Sequence, residues 1–455
     1  MRRLASPGVK NAGMIQKLTL KNFKSFSEPE GHNSSWEGTS ISFGGLSLII
    51  GTNASGKSNI RDGLRFIHGI SRGYTLGEII GEKYVGGAIQ WEGIRGGVRE
   101  TVTRRNDDFF GQVSRFTISV VTKLADEDGG DTARYSITVD VGDKARPPFV
   151  VDESLRLSNY TEPSLMFKES AGPGQVKVFV RQDSSKEVTA PAFFSLRSDQ
   201  PAIAQLRDVD QLAGSRYFHE RYNEAPEDCR RFLRTIASVR FLDLDPNSLR
   251  RPSIPGQTVL GDKGENLSSV LQAICADPTA KESLVEWTRE LTPLDVADFK
   301  FPEVSLEGKI QLQLVENGGR EISAESASDG TLRFLAFAAA VLGTEPARLY
   351  FFEEIENGIH PNRAHLLINL LQTATRSSDI QVVGTTHSPA MLSYLDEQAL
   401  KDASLVYRVG PVSKILRFAD IPALWQTPQG TRAGDLFSAG WFEDVAAFLE
   451  KEDEQ

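Results

Sequence analysis

The segment Gly51–Ser58 constrains the fold of this chain more than any other feature. It reads Gly-Thr-Asn-Ala-Ser-Gly-Lys-Ser and fits the pattern G-x-x-x-x-G-K-[S/T] without a mismatch. Residues 41–50 end in an apolar run, which is typical of a strand buried on both faces. Residues 59–70 show apolar side chains at helical spacing. A glycine-containing turn between a buried strand and a helix predicts a phosphate-binding loop in an α/β fold.

Each residue type in this turn has a physical role. The glycines permit backbone conformations in which successive N–H groups point at phosphate oxygens. Lys57 would reach the β- and γ-phosphates of a nucleotide, and the Ser58 hydroxyl would bind Mg²⁺. The alternative is a chance Gly/Ser turn before a helix. We predict that ATP is bound by the following residues: Asn53, Ala54, Ser55, Gly56, Lys57, Ser58 and Asn59.

A second candidate site follows the apolar residues 349–352, which predict a strand ending in Glu353 and Glu354. A carboxylate at the carboxyl end of a central strand can hold Mg²⁺, and its neighbour can polarise an attacking water. We therefore assign the metal role to Glu353 and the general-base role to Glu354. Ordinary surface acids at a strand end are the alternative.

A serine–glycine turn precedes an apolar helix predicted over residues 332–342. Ser328 or Asp329 could simply be the N-cap of this helix. The functional alternative is that Ser328 and Gly330 face a phosphate. Such a turn makes sense if it meets the phosphate loop of a second copy of the chain.

A histidine, His387, ends the strand predicted over residues 380–386. A lone histidine is usually structural. Because this one ends the next strand after the acidic one, we expect it to contact a γ-phosphate or the attacking water. His360 and His365 read as ordinary loop and helix-face histidines.

Composition limits the remaining possibilities. The chain has 455 residues, a formal net charge of −10 and only two cysteines, Cys229 and Cys275. We expect a cytoplasmic protein with reduced thiols, no membrane span, since no apolar run approaches about 18 residues, and a disordered lead-in over residues 1–13. The acidic average does not exclude a local basic groove. Six arginines between 229 and 251 could form such a groove. The alternative is that they lie on a solvated helix face. They are Arg230, Arg231, Arg234, Arg240, Arg250 and Arg251.

Taken in order, these motifs resemble the ABC-type ATPases, and most closely the RecF/SMC-like branch that includes the ATPase halves of OLD-like anti-phage proteins. The opening I-Q-K-L-T-L-K-N-F-K-S-F and the segment E-N-G-I-H-P are also similar to that branch. The resemblance implies a P-loop NTPase of the α/β class, with the mixed central sheet of an ABC-ATPase head. It also implies an antiparallel N-terminal β-lobe and an inserted helical lobe. We divide the chain at 14–185, 186–300 and 301–455 into an N-terminal ATPase lobe, a mostly helical inserted lobe and a C-terminal ATPase lobe.

The resemblance also assigns roles. Lys57 and Ser58 become Walker A contacts, and Glu353 and Glu354 the Walker B pair. Ser328 and Gly330 become the signature that acts across a homodimer or larger homo-oligomer. Residues 357–360 become the D-loop and His387 the switch histidine. A glutamine in this branch often touches Mg²⁺; Gln200 is the better match and Gln90 its competitor.

Three departures from the branch stand out. Glu353 stands where Asp is common, which predicts slow hydrolysis. The signature is S-D-G-T, without paired glycines. OLD-like proteins carry a C-terminal toprim nuclease, and because only 68 residues follow His387 we expect this chain to lack one. We therefore expect an ATPase that controls a separate effector protein, in anti-phage defence. The alternatives are a DNA-binding clamp in repair and a transporter subunit, the latter disfavoured by the large insertion over residues 70–325.

Overall fold

The structure is a computed structural model, and it describes residues 13–27, 36–103, 114–124, 131–143, 146–172, 174–181, 192–207, 224–425, 433–438 and 440. The strands, in chain order, are β1 Met14–Lys21, β2 Thr39–Ser42, β3 Leu46–Ile50, β4 Lys83–Val85, β5 Ala88–Trp91, β6 Arg115–Lys123, β7 Thr132–Asp140, β8 Phe149–Leu157, β9 Leu165–Gly172, β10 Gln175–Val180, β11 Ala192–Arg197, β12 Val239–Leu242, β13 Val296–Lys300, β14 Gln313–Glu316, β15 Glu321–Ser323, β16 Leu349–Phe352, β17 Gln381–Thr386, β18 Ser404–Val409 and β19 Val412–Arg417.

The described α-helices are α1 Lys57–Ser71, α2 Leu76–Ile80, α3 Gly97–Thr101, α4 Ala202–Arg207, α5 Glu224–Ala237, α6 Pro246–Leu249, α7 Leu267–Cys275, α8 Pro278–Leu291, α9 Asp329–Leu342, α10 Ala364–Ser377, α11 Glu397–Lys401, α12 Pro422–Trp425 and α13 Ala433–Ser438. Short 3-10 helices cover Pro361–Arg363, Pro389–Tyr394 and Phe418–Asp420.

A six-stranded mixed sheet, in the order β12-β16-β17-β3-β18-β19, forms the centre of the fold. Its first five strands are parallel, and β19 returns antiparallel to β18. The central strands β3, β16 and β17 are buried along their whole length. Ile49 faces the core that contains α1, whereas Leu48 and Ile50 face the core that contains α9 and α10. Side chains on both faces of β3 are therefore covered, as the continuous apolar run predicts.

An eight-stranded antiparallel sheet, in the order β11-β10-β9-β8-β7-β6-β1-β2, packs on the other side of α1. Its strands alternate buried and more exposed positions, most regularly in β6. This sheet confirms the predicted antiparallel β-lobe, and the central sheet confirms the predicted mixed sheet.

The segment predicted as a helical lobe, 186–300, contains helices α4 to α8, but also strands of three sheets. β11 extends the antiparallel sheet and β12 forms an edge of the central sheet. β13 joins the three-stranded sheet β13-β14-β15. The division into lobes stays a prediction, since its first boundary lies outside the described residues, as do residues 1–12.

Residues 308–315 alternate apolar and polar side chains, which predicts one strand, but the observed strand is shorter. Ile310 forms isolated bridges with Ser253 and Glu303, and β14 begins only at Gln313. The alternation of side chains in the sequence was right, but two separate partners hold the first half of this segment.

Candidate active site

The carboxyl ends of three adjacent parallel strands bring the predicted motifs together. β17 lies between β16 and β3, with Phe352 opposite Gly384 and Ile50 opposite Thr386. Glu353 and Glu354 follow β16, His387 follows β17, and the phosphate loop follows β3. Because parallel strands end at the same edge of a sheet, three segments far apart in sequence form one site.

The phosphate loop has the backbone that its glycines allow. Gly56 has φ +117°, and a Cβ there would lie 2.5 Å from the Ser413 hydroxyl oxygen. A Cβ on Gly51 would lie 2.2 Å from the carbonyl oxygen of Val406. Ala54 also has a positive φ, 61°. The loop therefore lies against β18 and β19, and neither glycine position has room for a side chain.

The two ends of the loop differ in exposure. Asn53 and Ala54 are exposed, whereas Ser55 is buried and its hydroxyl has no hydrogen-bond partner. The side-chain amide of Asn59 donates to the Ser25 hydroxyl at 2.7 Å, which fixes the start of α1 against the turn after β1. Asn59 therefore supports the loop from behind, while the exposed backbone lies on the open side.

Lys57 lies at the centre of the site. Its ammonium group donates to the carbonyl oxygens of Gly51 at 2.5 Å and Thr52 at 2.8 Å. It also lies 3.3 Å from Nδ1 of His387. Burial lowers the pKa of Lys57 to about 8, although the negative charges of Glu354 and Glu356 act to raise it. The lysine is thus held in the loop, close to both predicted catalytic residues.

His387 connects Lys57 with Glu354. Its Nε2 lies 3.3 Å from the Glu354 carboxylate. Because an ammonium group can only donate, Nδ1 accepts from Lys57, and Nε2 carries the proton that faces Glu354. The backbone N–H of Glu354 donates to the Thr385 hydroxyl at 2.9 Å, and its carboxylate accepts from Asn357. The structure therefore brings the predicted base and the predicted switch histidine into contact.

Glu354 has a strained backbone, with φ 48°. A non-glycine residue with a positive φ costs on the order of 1–3 kcal/mol and is common at functional sites. The strained turn directs the Glu354 side chain toward His387.

Glu356 is a residue that sequence reasoning missed. One of its carboxylate oxygens accepts the backbone N–H of His387 at 2.6 Å, and the other is buried without a hydrogen-bond partner. It fixes the start of the loop after β17. In the sequence, Glu356 is the first residue of the E-N-G-I-H-P segment and has no predicted role. No local pattern indicates its hydrogen bond to a residue 31 positions away.

Glu353 fits the metal role by an observation on its own carboxylate. Its Oε1 atom is buried and has no hydrogen-bond partner. Arg61 and Arg95 lie near this atom, each at 3.7 Å. A buried carboxylate oxygen without a hydrogen bond is suited to a cation ligand. No group of three or more His, Cys, Asp or Glu side chains suited to a metal occurs among the described residues, so a cation here would need hydroxyl and phosphate oxygens as well.

Arg95 is the second residue that the sequence did not indicate. Its guanidinium donates to the carbonyl oxygen of Ser58 at 2.8 Å and lies 3.3 Å from Asp62. Through these contacts and its proximity to Glu353, it connects the first turn of α1 with the acidic strand end. It lies in a segment, residues 72–112, whose many glycines and charges predict only loops and short elements.

Ser328 is both the N-cap of α9 and an exposed residue. Its hydroxyl accepts the backbone N–H of Thr331 at 3.2 Å. A Cβ on Gly330 would lie 2.3 Å from the carbonyl oxygen of Gly358. The predicted signature therefore packs tightly against the predicted D-loop of the same chain. Ser328 caps α9, and its contact with a phosphate of a second copy stays a prediction. The structure does not bring Ser328 and Gly330 into contact with the described phosphate loop of their own chain.

The prediction that Gln200 is a metal ligand is wrong for this structure. Its amide donates to the carbonyl oxygen of Gly73 at 2.8 Å. Gly73 follows the last turn of α1, and this helix of 15 residues separates it from the phosphate loop by about 22 Å. The sequence could not reveal this, since Gln200 is placed by the end of β11. The competitor, Gln90, lies in β5 beside Arg61 and Arg65.

The six arginines between 229 and 251 do not form one basic surface. On α5, Arg230 and Arg234 pair with Glu227 at 2.8 and 2.5 Å, and Arg231 lies 3.4 Å from Asp131. Arg250 pairs at 2.6 Å with Asp329, the second residue of the signature. The arginines of α5 therefore fit the alternative prediction, a charged helix face, better than a basic groove.

Residues 46–393 match the family described as "AAA domain, putative AbiEii toxin, Type IV TA system". The chain belongs to this family. It therefore carries an ATPase-type AAA domain, which confirms the P-loop NTPase fold predicted from Gly51–Ser58. A curated relative from Helicobacter pylori, named "ATP/GTP phosphatase", is 22% identical over 395 residues, which cover 84% of this chain and 88% of that protein.

Solved structures of SMC heads are similar at 15% identity. The SmcHead bound to the C-winged helix domain of ScpA gives a TM-score of 0.49 and covers 88% of this chain and 97% of that one. The SMC head domain from Thermotoga maritima gives 0.41, with 89% and 98% covered. In the described part of the AAA-domain chain, no helix has the length and apolar character that a membrane crossing requires.

Proposed function

We propose that this AAA-domain protein binds and hydrolyses ATP with Mg²⁺. The contact chain from Lys57 through His387 to Glu354 carries the proposal, since it joins a phosphate-binding lysine to a carboxylate beside it. The H. pylori relative, named an ATP/GTP phosphatase, supports the same chemistry.

Different residues of the chain would bind the phosphates, bind Mg²⁺ and activate the water. The loop backbone and Lys57 would hold the phosphates, and Ser58 and Glu353 would hold Mg²⁺. When bound, Mg²⁺ would neutralise charge on the phosphates. Glu354 would accept the proton of the attacking water. His387, which donates to Glu354 from Nε2, would keep that carboxylate aligned.

A second copy would complete the site. Ser328 and Asp329 are exposed at the start of α9, a helix of 14 residues, where backbone N–H groups attract anions. The tight contact between Gly330 and Gly358 would transmit movement of this turn to the loop that follows Glu354. ATP-dependent closure of two chains would then act on a separate effector protein. The family description names a toxin and a toxin–antitoxin system, and the resemblance to OLD-like proteins suggests that this control would serve defence against phage.

The test compares three variants. Glu354→Gln keeps the shape of the side chain but removes the base, so turnover should fall by about 100-fold or more while an ATP-bound dimer accumulates. Lys57→Ala should lose ATP binding and dimerisation together. Glu307→Gln, an exposed carboxylate in another part of the molecule, is the matched control and should behave like the unmodified protein. Phosphate release and light scattering measure these outcomes, and full turnover in Glu354→Gln would remove Glu354 from the base role.

A DNA clamp is the second candidate, which the arginine pairs on α5 make less favourable. Stimulation of turnover by DNA, with a steep dependence on salt, would favour it.

A further inference from the structure

A groove of about 290 Å³ runs along the outer side of α1. We call it the α1 groove. Arg61, Arg65 and Arg72 line one wall, at helical spacings that place them on the same face. Arg240 of β12, Lys263 and Trp91 line the rest of the groove. Its volume is just below the range of about 300–1,000 Å³ that is typical of sites for small molecules.

The charges in the groove are unbalanced. Five cationic side chains face three carboxylates, those of Glu92, Asp243 and Asp262. His68 adds no charge, because burial lowers its pKa to about 4. Burial and the neighbouring Arg61 also lower the pKa of Arg65. A protein with net charge −10 thus holds a surplus of positive charge in one enclosed place.

These cations have weak or no ion pairs within the described part of the chain. Arg65 approaches Glu92 only to 3.9 Å, and its buried Nε atom has no hydrogen-bond partner. Among described residues, no carboxylate lies within 4.0 Å of Arg72, Arg240 or Lys263. Arg72 donates to the His68 ring at 3.3 Å, and Asp262 is close enough to Arg240 for their charges to interact. The Arg65 guanidinium lies over the Trp91 ring at 4.5 Å, which fixes its position before any ligand arrives.

A larger cavity in the antiparallel sheet makes the contrast clear. Its volume is about 560 Å³ and it also has three arginines. Each of these is paired with an aspartate: Arg115 with Asp140 at 3.0 Å, Arg146 with Asp143 at 3.6 Å, and Arg197 with Asp199 at 2.6 Å. Positive charge is therefore balanced there and left unbalanced in the α1 groove.

We propose that the α1 groove is a binding site for an anion with two or more phosphate groups, separate from the phosphate loop. Several guanidinium groups lining one groove suit phosphate oxygens, which accept two parallel hydrogen bonds from one arginine. The ligand is either a free oligophosphate or the backbone of a nucleic-acid strand, since both offer the same chemistry. Arg61, which lies 3.7 Å from Glu353, connects the groove with the candidate ATPase site.

The experiment uses the full chain with Lys57→Ala, which removes binding at the phosphate loop. Pyrophosphate is titrated by calorimetry, and a labelled 20-nucleotide single-stranded DNA by fluorescence anisotropy. The groove variant combines Arg72→Gln, Arg240→Gln and Lys263→Gln. The matched control combines Arg115→Gln, Arg146→Gln and Arg197→Gln, which removes the same charge from the other cavity. Lys263→Gln alone, at an exposed residue, is measured as well in case the triple groove variant does not fold.

We expect at least one probe to bind with one site per chain, and its affinity to fall by about tenfold or more in the groove variant but not in the control. Lys263→Gln alone should lower the affinity by about threefold. Binding of pyrophosphate identifies a free oligophosphate, and binding of DNA alone identifies a nucleic-acid strand. No binding of either probe, or equal loss in groove and control variants, overturns the proposal. Because Lys57→Ala is present throughout, failure here leaves the proposed ATPase function untouched.

Discussion

The charge of Lys57 should decide how tightly ATP binds. Its ammonium group bonds two carbonyl oxygens of the loop and is largely shielded from solvent. Burial lowers its pKa to about 8, while the charges of Glu354 and Glu356 act in the opposite direction. Only the protonated lysine attracts a triphosphate. As pH rises through the pKa, the lysine loses its proton and ATP affinity should fall.

The size of the effect follows from the pKa. With a value of about 8 in the free protein, the dissociation constant for ATP should rise about 25-fold between pH 7.5 and 9.5, provided that bound ATP keeps the lysine charged. Glu354→Gln removes a negative charge that raises the pKa of Lys57. The Lys57 pKa should therefore be lower in this variant, and ATP affinity should fall at lower pH.

Calorimetric titration of ATP across this pH range measures the effect. Lys57→Arg is the control, since arginine stays charged throughout and its affinity should be nearly constant. Equal pH profiles for the unmodified protein and Lys57→Arg would refute the reasoning. So would a flat profile for the unmodified protein, because it would show that Lys57 keeps its proton at pH 9.5.

Three further predictions test other parts of the structure. Gly330→Ala would place a Cβ 2.3 Å from the Gly358 carbonyl oxygen, so the backbone must shift; it should lower the melting temperature and reduce ATP-dependent dimerisation and turnover about tenfold. Gln200→Ala should leave turnover unchanged, as an ATPase assay would show, because Gln200 lies at the far end of α1. Burial raises the pKa of Glu153 to about 7, so the free energy of unfolding should fall by up to about 3 kcal/mol as pH rises from 4.5 through 7. Glu153→Gln should flatten that profile in denaturant titrations, since its amide mimics the protonated acid that is stable at low pH.

Local patterns were sufficient for the elements that carry the motifs. The apolar run before Gly51 predicted β3 and the helical spacing after it predicted α1, because a strand buried on both faces and an amphipathic helix leave distinct periods in the sequence. The acidic strand end at Glu353 and the cap at Ser328 were readable for the same reason. Each depends on residues that are neighbours in the chain.

The positions of residues that depend on long-range packing could not be predicted from the sequence. Arg95 lies beside Glu353 across 258 positions, and Gln200 was misplaced because the end of β11 carries it to Gly73, away from the phosphate loop. The six arginines near residue 240 looked alike in the sequence, yet pairing on α5 neutralised three of them while β12 turned Arg240 into the α1 groove.

The sequence by itself thus determined the chemistry available to this protein: a phosphate loop, two strand-end carboxylates and a histidine. The tertiary structure alone decided which of these side chains meet. The reason is that strand order and register set distances between segments hundreds of residues apart. No local period in the sequence records that order.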